Sequence, residues 1–421
     1  MRIRVEPHPV FPAAALGFAL IGFFERPMAE RRPRPPEMRA GLQLLVTSPR
    51  DSGPGSLREA IIAADRAPDR ALIEIRTGRI VLETPLPPLV NPKGVILEAP
   101  NAGAEIDGSG LAAGALLDLA SPRSVVAGLT IRGAAEQGVL VRSQGVRLRG
   151  LTVADCGEGV HVLEGAGDLL LEASSFDGNG TGVHVEPGAR AVEIYESRFR
   201  NHDKAGVWAV SPSPPSQSTV PVVSVRQSRF EGDRMSLVLI DVPALVEDNQ
   251  FLRPLEAAAY LTGAAVVRRN RVEGGASMGL YGDAVDGAVL EDNEVSHSQV
   301  AGILLRDSRN SQLRRNRLFG NAYGIAVLFD AGGAPNLVGE NLVANQSADG
   351  IFVVAAAPVL QANRILGNRL AGLRVLDYVP IRGPRLAGRP LVRDDNVMEN
   401  NGSDAQVRGE YREPPPASQG P

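Results

Sequence analysis

The chain has 421 residues, a formal net charge of −4, 43% hydrophobic residues, 46 glycines and one cysteine. That is ample apolar material for a long core, and a glycine-rich, weakly acidic chain argues against nucleic acid as a partner. The lone cysteine, Cys156, excludes an intramolecular disulfide and reads as plain packing at a corner.

Taken from the start, Arg2 and Arg4 precede an apolar run from Val10 to Phe24. The run is too short to span a bilayer comfortably and suits the core of a signal peptide. Residues 1–29 are therefore expected to be a signal peptide or short anchor, with an exported (periplasmic or extracellular) destination. Residues 30–43, which include "RRPRPP", are expected to be a linker. No clean small-x-small cleavage site follows the run, so an uncleaved anchor and a true start at Met28 stay open.

Residues 44–112 are expected to form a cap and the first strands. Ser56 with Glu59 is a capping box, and Leu57, Ala60, Ile61 and Ala64 give one apolar face, which predicts a short helix over 56–64. Such a helix covers open strand edges that would otherwise recruit other chains.

From residue 113 to 408 a repeat takes over. Its first position is held by Leu129, Leu151, Ser174, Ser197, Ser228, Asn249, Asn270, Asn293, Asn316, Asn341, Asn363 and Asn396. Two residues after each stands an apolar side chain, from Ile131 to Met398. Most steps are 21–25 residues, with two longer ones of 31 and 33. A near-constant period of this length means stacked units of a solenoid. Further on in each period come short β-branched stretches such as "GVHV" (159), "GIAV" (324) and "GIFV" (350), closed by Gly, Asn and Asp, which read as strands. About 12 turns of parallel strands, each ~4.8 Å above the last, are expected. The repeated asparagines are predicted to sit at left-handed corners and to form an amide ladder, with Phe176, Phe199, Phe230 and Phe251 stacked inside. The proline-rich end, 409–421, is expected to be a disordered tail.

These repeats, with "LTI" at 129 and "LTV" at 151, resemble right-handed parallel β-helix proteins, the group of pectin lyase-like and NosD-like chains. "VTSPRDSGPGSLREAIIAAD" (46–65) is similar to the "DSGxGSLRxAI" segment of exported members. The resemblance covers roughly residues 44 to 408 and implies an all-β fold with an N-terminal capping helix. It does not extend to the catalytic signatures of that group. There is no "GHG" beside Asp394 and Asp395 and no "DPHD", and "RGPRLA" at 382 ends on Ala387 where the lyases have Arg.

A filled interior leaves the outer faces for function. The outward position of the "G-apolar-x-apolar" strand reads Leu140, His161, His184, Trp208, Val238, Tyr260, Tyr281, Leu304, Ala326, Phe352 and Arg374. In a chain with only 4% aromatics, Trp208, Tyr260, Tyr281 and Phe352 on one line, with Arg306 nearby, suggest a strip that stacks sugar rings or a partner protein. A face covered by inserted loops is the plain alternative. The next corner carries Asp283, Asp286, Asp307 and Asp330, which suit paired acids of glycoside hydrolysis or oxygen ligands of Ca²⁺, or else are turn residues. Both longer insertions, 211–218 and 379–393, open there. His161 and His184 with Glu164 and Glu186 form a candidate Zn²⁺ or Cu site. The expected function is binding of an extended polymer, a polysaccharide or cell-surface glycan, with no required cofactor and Ca²⁺ serving acidic polymers. A hydrolase or lyase using Asp283–Asp330 and a scaffold or NosD-like maturation factor that binds protein or metal are the rivals.

Overall fold

Each period closes one turn of a coil, and each turn lays one strand on each of three parallel sheets. This is seen in a computed structural model that describes residues 41–412 apart from 101–102, 212–220 and 276. The sheets hold 15, 14 and 13 strands, and hydrogen-bonded neighbours within a sheet come from successive turns. The expected signal segment 1–29 and most of the 30–43 linker lie outside the described residues. The first strand, Leu42–Val46, starts within the expected linker. The last, Ser403–Arg412, extends past the predicted start of the tail at 409, because 409–412 pair with 376–379.

The helix runs Leu57–Arg66, and Leu57, Ala60, Ile61 and Ala64 are its buried face. Ser56 caps it by accepting the Glu59 N–H, while the Glu59 carboxylate reaches one residue further back than a capping box requires, to the Gly55 N–H at 2.8 Å. The buried face joins the same core as the first strands.

The apolar positions of the repeat stack in register through the second sheet, Phe176 on Phe199 on Phe230 on Phe251. Their rings are 4.7–5.1 Å apart and fully buried. At the corner before them, the predicted amide ladder is present. Asn316 donates from Nδ2 to Asn341 Oδ1 and to the Leu290 carbonyl, and its own Oδ1 accepts from Asn293. Ser174, Ser197 and Ser228 continue the ladder with hydroxyls, Ser197 Oγ accepting the Ser174 N–H and Ser228 Oγ the Ser197 N–H.

The left-handed conformation expected of these asparagines belongs instead to the residue before each one from Asn249 to Asn363. Asp248, Arg269, Asp292, Arg315 and Glu340 have φ of 52–58°. Each such residue costs about 1–2 kcal/mol of backbone strain. Charged side chains are tolerated there because they point outward and pair between turns, Arg269 with Asp248 at 2.9 Å and Arg315 with Asp292 at 2.8 Å.

A second polar ladder lies five residues after the first. Asn321 Oδ1 accepts the Ser298 N–H, Gln346 Oε1 the Asn321 N–H, and Asn368 Oδ1 the Gln346 N–H. Cys156 occupies this corner, buried, with its N–H bonded to Asn179 Oδ1. No helix among the described residues is long and apolar enough to cross a membrane.

Candidate functional site

The third sheet is built from the "GVHV" type of strand, whose start is irregular. A Cβ on Gly159 would fall 2.9 Å from the Phe176 ring, so this position faces the core, and so does the next, Val160. Two successive inward residues bring Glu158 and His161, three apart, out on the same side of the sheet. The outer face therefore carries two adjacent columns, one at the residue before each glycine and one at the position predicted from the sequence.

In the predicted column, His161, His184, Trp208, Val238, Tyr260, Tyr281, Leu304, Ala326, Phe352 and Arg374 follow in register. Trp208, Tyr260 and Phe352 are half-buried, and Tyr281 is buried at 9% exposure. Tyr281, Ala301, Leu304 and Ala326 form an apolar cluster of their own against which Tyr260, Met278, Tyr323, Leu328 and Phe352 pack. Tyr260 meets Tyr281 edge to face at 5.2 Å, and Tyr323 stacks on Phe352 at 4.7 Å. Tyr323 belongs to the column before the glycines, which sequence periodicity did not reveal.

Polar groups border this cluster. Tyr260 donates its hydroxyl to Asp283 Oδ2 at 3.2 Å, and Arg306 holds the same carboxylate with two hydrogen bonds of 2.9 and 2.6 Å. The Arg306 guanidinium also lies 5.9 Å from the centre of the Tyr281 ring. Burial, and then the charge of Asp283, push the Tyr281 hydroxyl up to about 12.

The other predicted aspartates are each engaged. Asp286 pairs with Arg309 at 2.9 Å. Asp307 is exposed, takes the left-handed turn conformation (φ 47°) and lies 3.6 Å from Arg306. Asp330 accepts the Ala357 N–H, and burial raises its pKa. Of the insertion at 211–218 only Ser211 is among the described residues. The insertion at 379–393 folds back on Asp377, which accepts from Arg385 and from the Gly388 N–H.

Among the described residues, one group brings three metal-ligand side chains within 4.8 Å of one another: Glu158, His161 and His184. The two imidazoles stack at 4.6 Å with 18° between their planes. The Glu158 carboxylate faces both, at 2.9 Å from His161 Nδ1 and 2.7 Å from His184 Nδ1. Glu186 Oε1 lies 3.0 Å from His161 Nε2, and Glu186 Oε2 accepts the Glu164 N–H. Glu164 thus meets the cluster through its backbone, and Glu158 stands where the sequence pointed to Glu164. Burial alone would raise the Glu158 pKa and lower that of His161. Their mutual contacts overturn both effects, holding Glu158 well below the usual carboxylate range and His161 above the usual imidazole value.

Residues 215–370 match the family model of a right handed beta helix region. The chain is a right-handed parallel β-helix. No curated protein matches it. Among solved structures, this β-helix is similar to a mannuronan C-5 epimerase A-module of Azotobacter vinelandii, at 12% identity over 77% of this chain and 93% of that one, TM-score 0.45. It is similar to the catalytic unit of a GH87 α-1,3-glucanase of Streptomyces thermodiastaticus, at 15% identity over 88% and 70% of the two chains, TM-score 0.45. It is also similar to an alginate lyase of a Paenibacillus species, at 13% identity over 74% and 97%, TM-score 0.38. These likenesses are of fold alone.

Proposed function

We propose that the outer face of the third sheet binds an extended polysaccharide, laid along the coil axis across Trp208, Tyr260, Tyr281 and Phe352. The observation that carries this reading is the network of Tyr260, Asp283 and Arg306 beside the aromatic column. A sugar ring presents an apolar face and a rim of hydroxyls, so it needs a flat aromatic surface with fixed donors and acceptors next to it. Turns lie ~4.8 Å apart, and Trp208, Tyr260, Tyr281 and Phe352 follow one another at two, one and three turns, a spacing that several sugar units of one chain can follow. Arg306 already balances the charge of Asp283, so an acidic polymer would meet a guanidinium at this point and not a bare carboxylate. Ca²⁺, for a more acidic polymer, would sit at the exposed Asp307. An exported location goes with a substrate of this kind.

A protein partner is the second reading, favoured by the contiguous apolar cluster around Tyr281 and Leu304. A hydrolase or lyase acting through Asp283, Asp286, Asp307 and Asp330 has less support, since all four carboxylates are tied to an arginine or a backbone N–H. A glycan array run beside an assay for reducing-sugar release separates the three. Binding without release supports the strip, release supports the enzyme, and silence in both overturns polysaccharide recognition.

A further inference from the structure

The cluster on the outer face, one and two turns before Trp208, has the makings of a metal centre. Its parts come from two adjacent turns: Glu158 and His161 from one strand, His184 from the next, with Glu186 just past the end of that strand. Nδ1 of His161 and Oε2 of Glu158 are both buried without a hydrogen-bond partner, although they lie 2.9 Å apart, because their approach is out of line. A buried acceptor and a buried ring nitrogen left in this state cost stability unless a third group joins them.

A carboxylate that steadies His161 from its far side is present as well. Glu186 Oε1 stands 3.0 Å from His161 Nε2, so with the proton held on that side of the ring Nδ1 is the nitrogen available to an ion. Glu186 is fixed in turn by the Glu164 N–H. A carboxylate that orients a histidine from its far side is the usual support of a metal-bound imidazole.

We propose that Glu158, His161 and His184 bind one transition-metal ion of the Zn²⁺ type, with Glu186 as the residue that positions His161. Two imidazole nitrogens and one carboxylate suit such an ion, whereas Ca²⁺ and Mg²⁺ ask for an all-oxygen shell. Ligands about 2.0–2.2 Å from Zn²⁺ stand roughly 3.3 Å from each other in a tetrahedron. The present contacts of 2.9 and 2.7 Å would open by about half an ångström as the ion takes the place of the proton between His184 and Glu158. His184 makes the adjustment, tilting its ring toward His161; its side chain is 27% exposed, against 11% for His161. Three protein ligands leave a fourth position for water on the solvent side, so the ion lies in line with Trp208 and the tyrosines.

The test is calorimetric titration of the untagged, chelator-treated full chain with Zn²⁺ alone, without glycan. One equivalent is expected, with a rise in melting temperature. His184→Ala and Glu158→Gln should each weaken binding about 100-fold or more, Glu186→Gln about 10-fold, and His297→Ala should leave it unchanged. Circular dichroism with chelator present checks that each variant is folded. No stoichiometric binding by the parent chain would overturn the proposal, and so would binding that survives intact in folded His184→Ala; the cluster would then be only a hydrogen-bonded His–Glu–His array. Calcium titrated in place of zinc should bind no more tightly to the parent than to His184→Ala, and a site lost with calcium alone would also refute the assignment.

Discussion

Replacing Asn316 by alanine puts a number on what holds successive turns together. Four hydrogen bonds meet at its carboxamide: to the Leu290 carbonyl at 2.8 Å, to Asn341 Oδ1 at 3.0 Å, and from the N–H and Nδ2 of Asn293 at 3.1 and 3.0 Å. Two of the partners keep an alternative. Asn293 Nδ2 still reaches the Val267 carbonyl, and Asn341 Oδ1 still accepts the backbone N–H of residue 316. The Asn293 N–H is left without this acceptor at a fully buried site, and the Leu290 carbonyl loses its side-chain donor. An unsatisfied buried group costs about 1–3 kcal/mol, so Asn316→Ala should cost roughly 2–4 kcal/mol. Asn316→Ser should cost less, since serine fills the same role in earlier turns by accepting the N–H of the turn before it. Asn396→Ala, at the half-buried last rung, should also cost less. Denaturant unfolding gives the total, and hydrogen exchange at the Asn293 amide gives the local effect, because turns of a solenoid open partly independently. A loss below about 0.5 kcal/mol with unchanged exchange at Asn293 would refute the ladder as a source of stability.

Phe230→Ala, which empties the middle of the ring stack, should cost about 3–5 kcal/mol, while Phe230→Leu should cost under about 1.5 kcal/mol; equal melting of the two variants would contradict close packing there. Burial alone would raise the pKa of Asp51, but Arg58, the Glu83 N–H and Thr84 outweigh it, so the folded value lies below the unfolded 3.8. The stabilisation is therefore present above pH 3.8 and lost as pH falls through the lower, folded value. Asp51→Asn should reduce the melting temperature at pH 7 and converge with the parent in acid, and a gap of constant size would disprove the linkage. Burial pushes the Cys156 thiol up to about 11. At pH 8 about one such thiol in a thousand is ionised, so a disulfide reagent should label it only after denaturation; rapid labelling of the native chain would show an open corner.

The fold was legible because its signals repeat. Asn at one position and an apolar side chain two residues later set the ladder and the core together, and Leu57, Ala60, Ile61 and Ala64 marked the helix face that is buried. The left-handed position was misplaced by one residue because aspartate, arginine, glutamate and alanine share it, leaving no compositional signal. The second ladder had one, Asn321, Gln346, Asn368 and Asn401 each five residues after a ladder asparagine, and it could have been found by the same counting. Glu158 was harder. Strand alternation puts residues three apart on opposite faces, and only the crowding at Gly159, where a side chain would meet the Phe176 ring, brings Glu158 round to His161. The aspartates were ambiguous for another reason, since repetition at a corner looks the same in sequence whether it serves a ligand or, as at Asp307, a left-handed turn.

The chain's single tryptophan, Trp208, sits on the face proposed to bind polysaccharide, so its fluorescence reports on that face and no other. Titration with an oligosaccharide series chosen from the array should give a saturable change in Trp208 emission. The change should strengthen with chain length and be weakened by Arg306→Ala or by Tyr260→Ala in variants that circular dichroism shows to be folded. Binding detected by calorimetry while Trp208 emission stays constant and both variants bind like the parent would place recognition elsewhere on the coil and contradict the account.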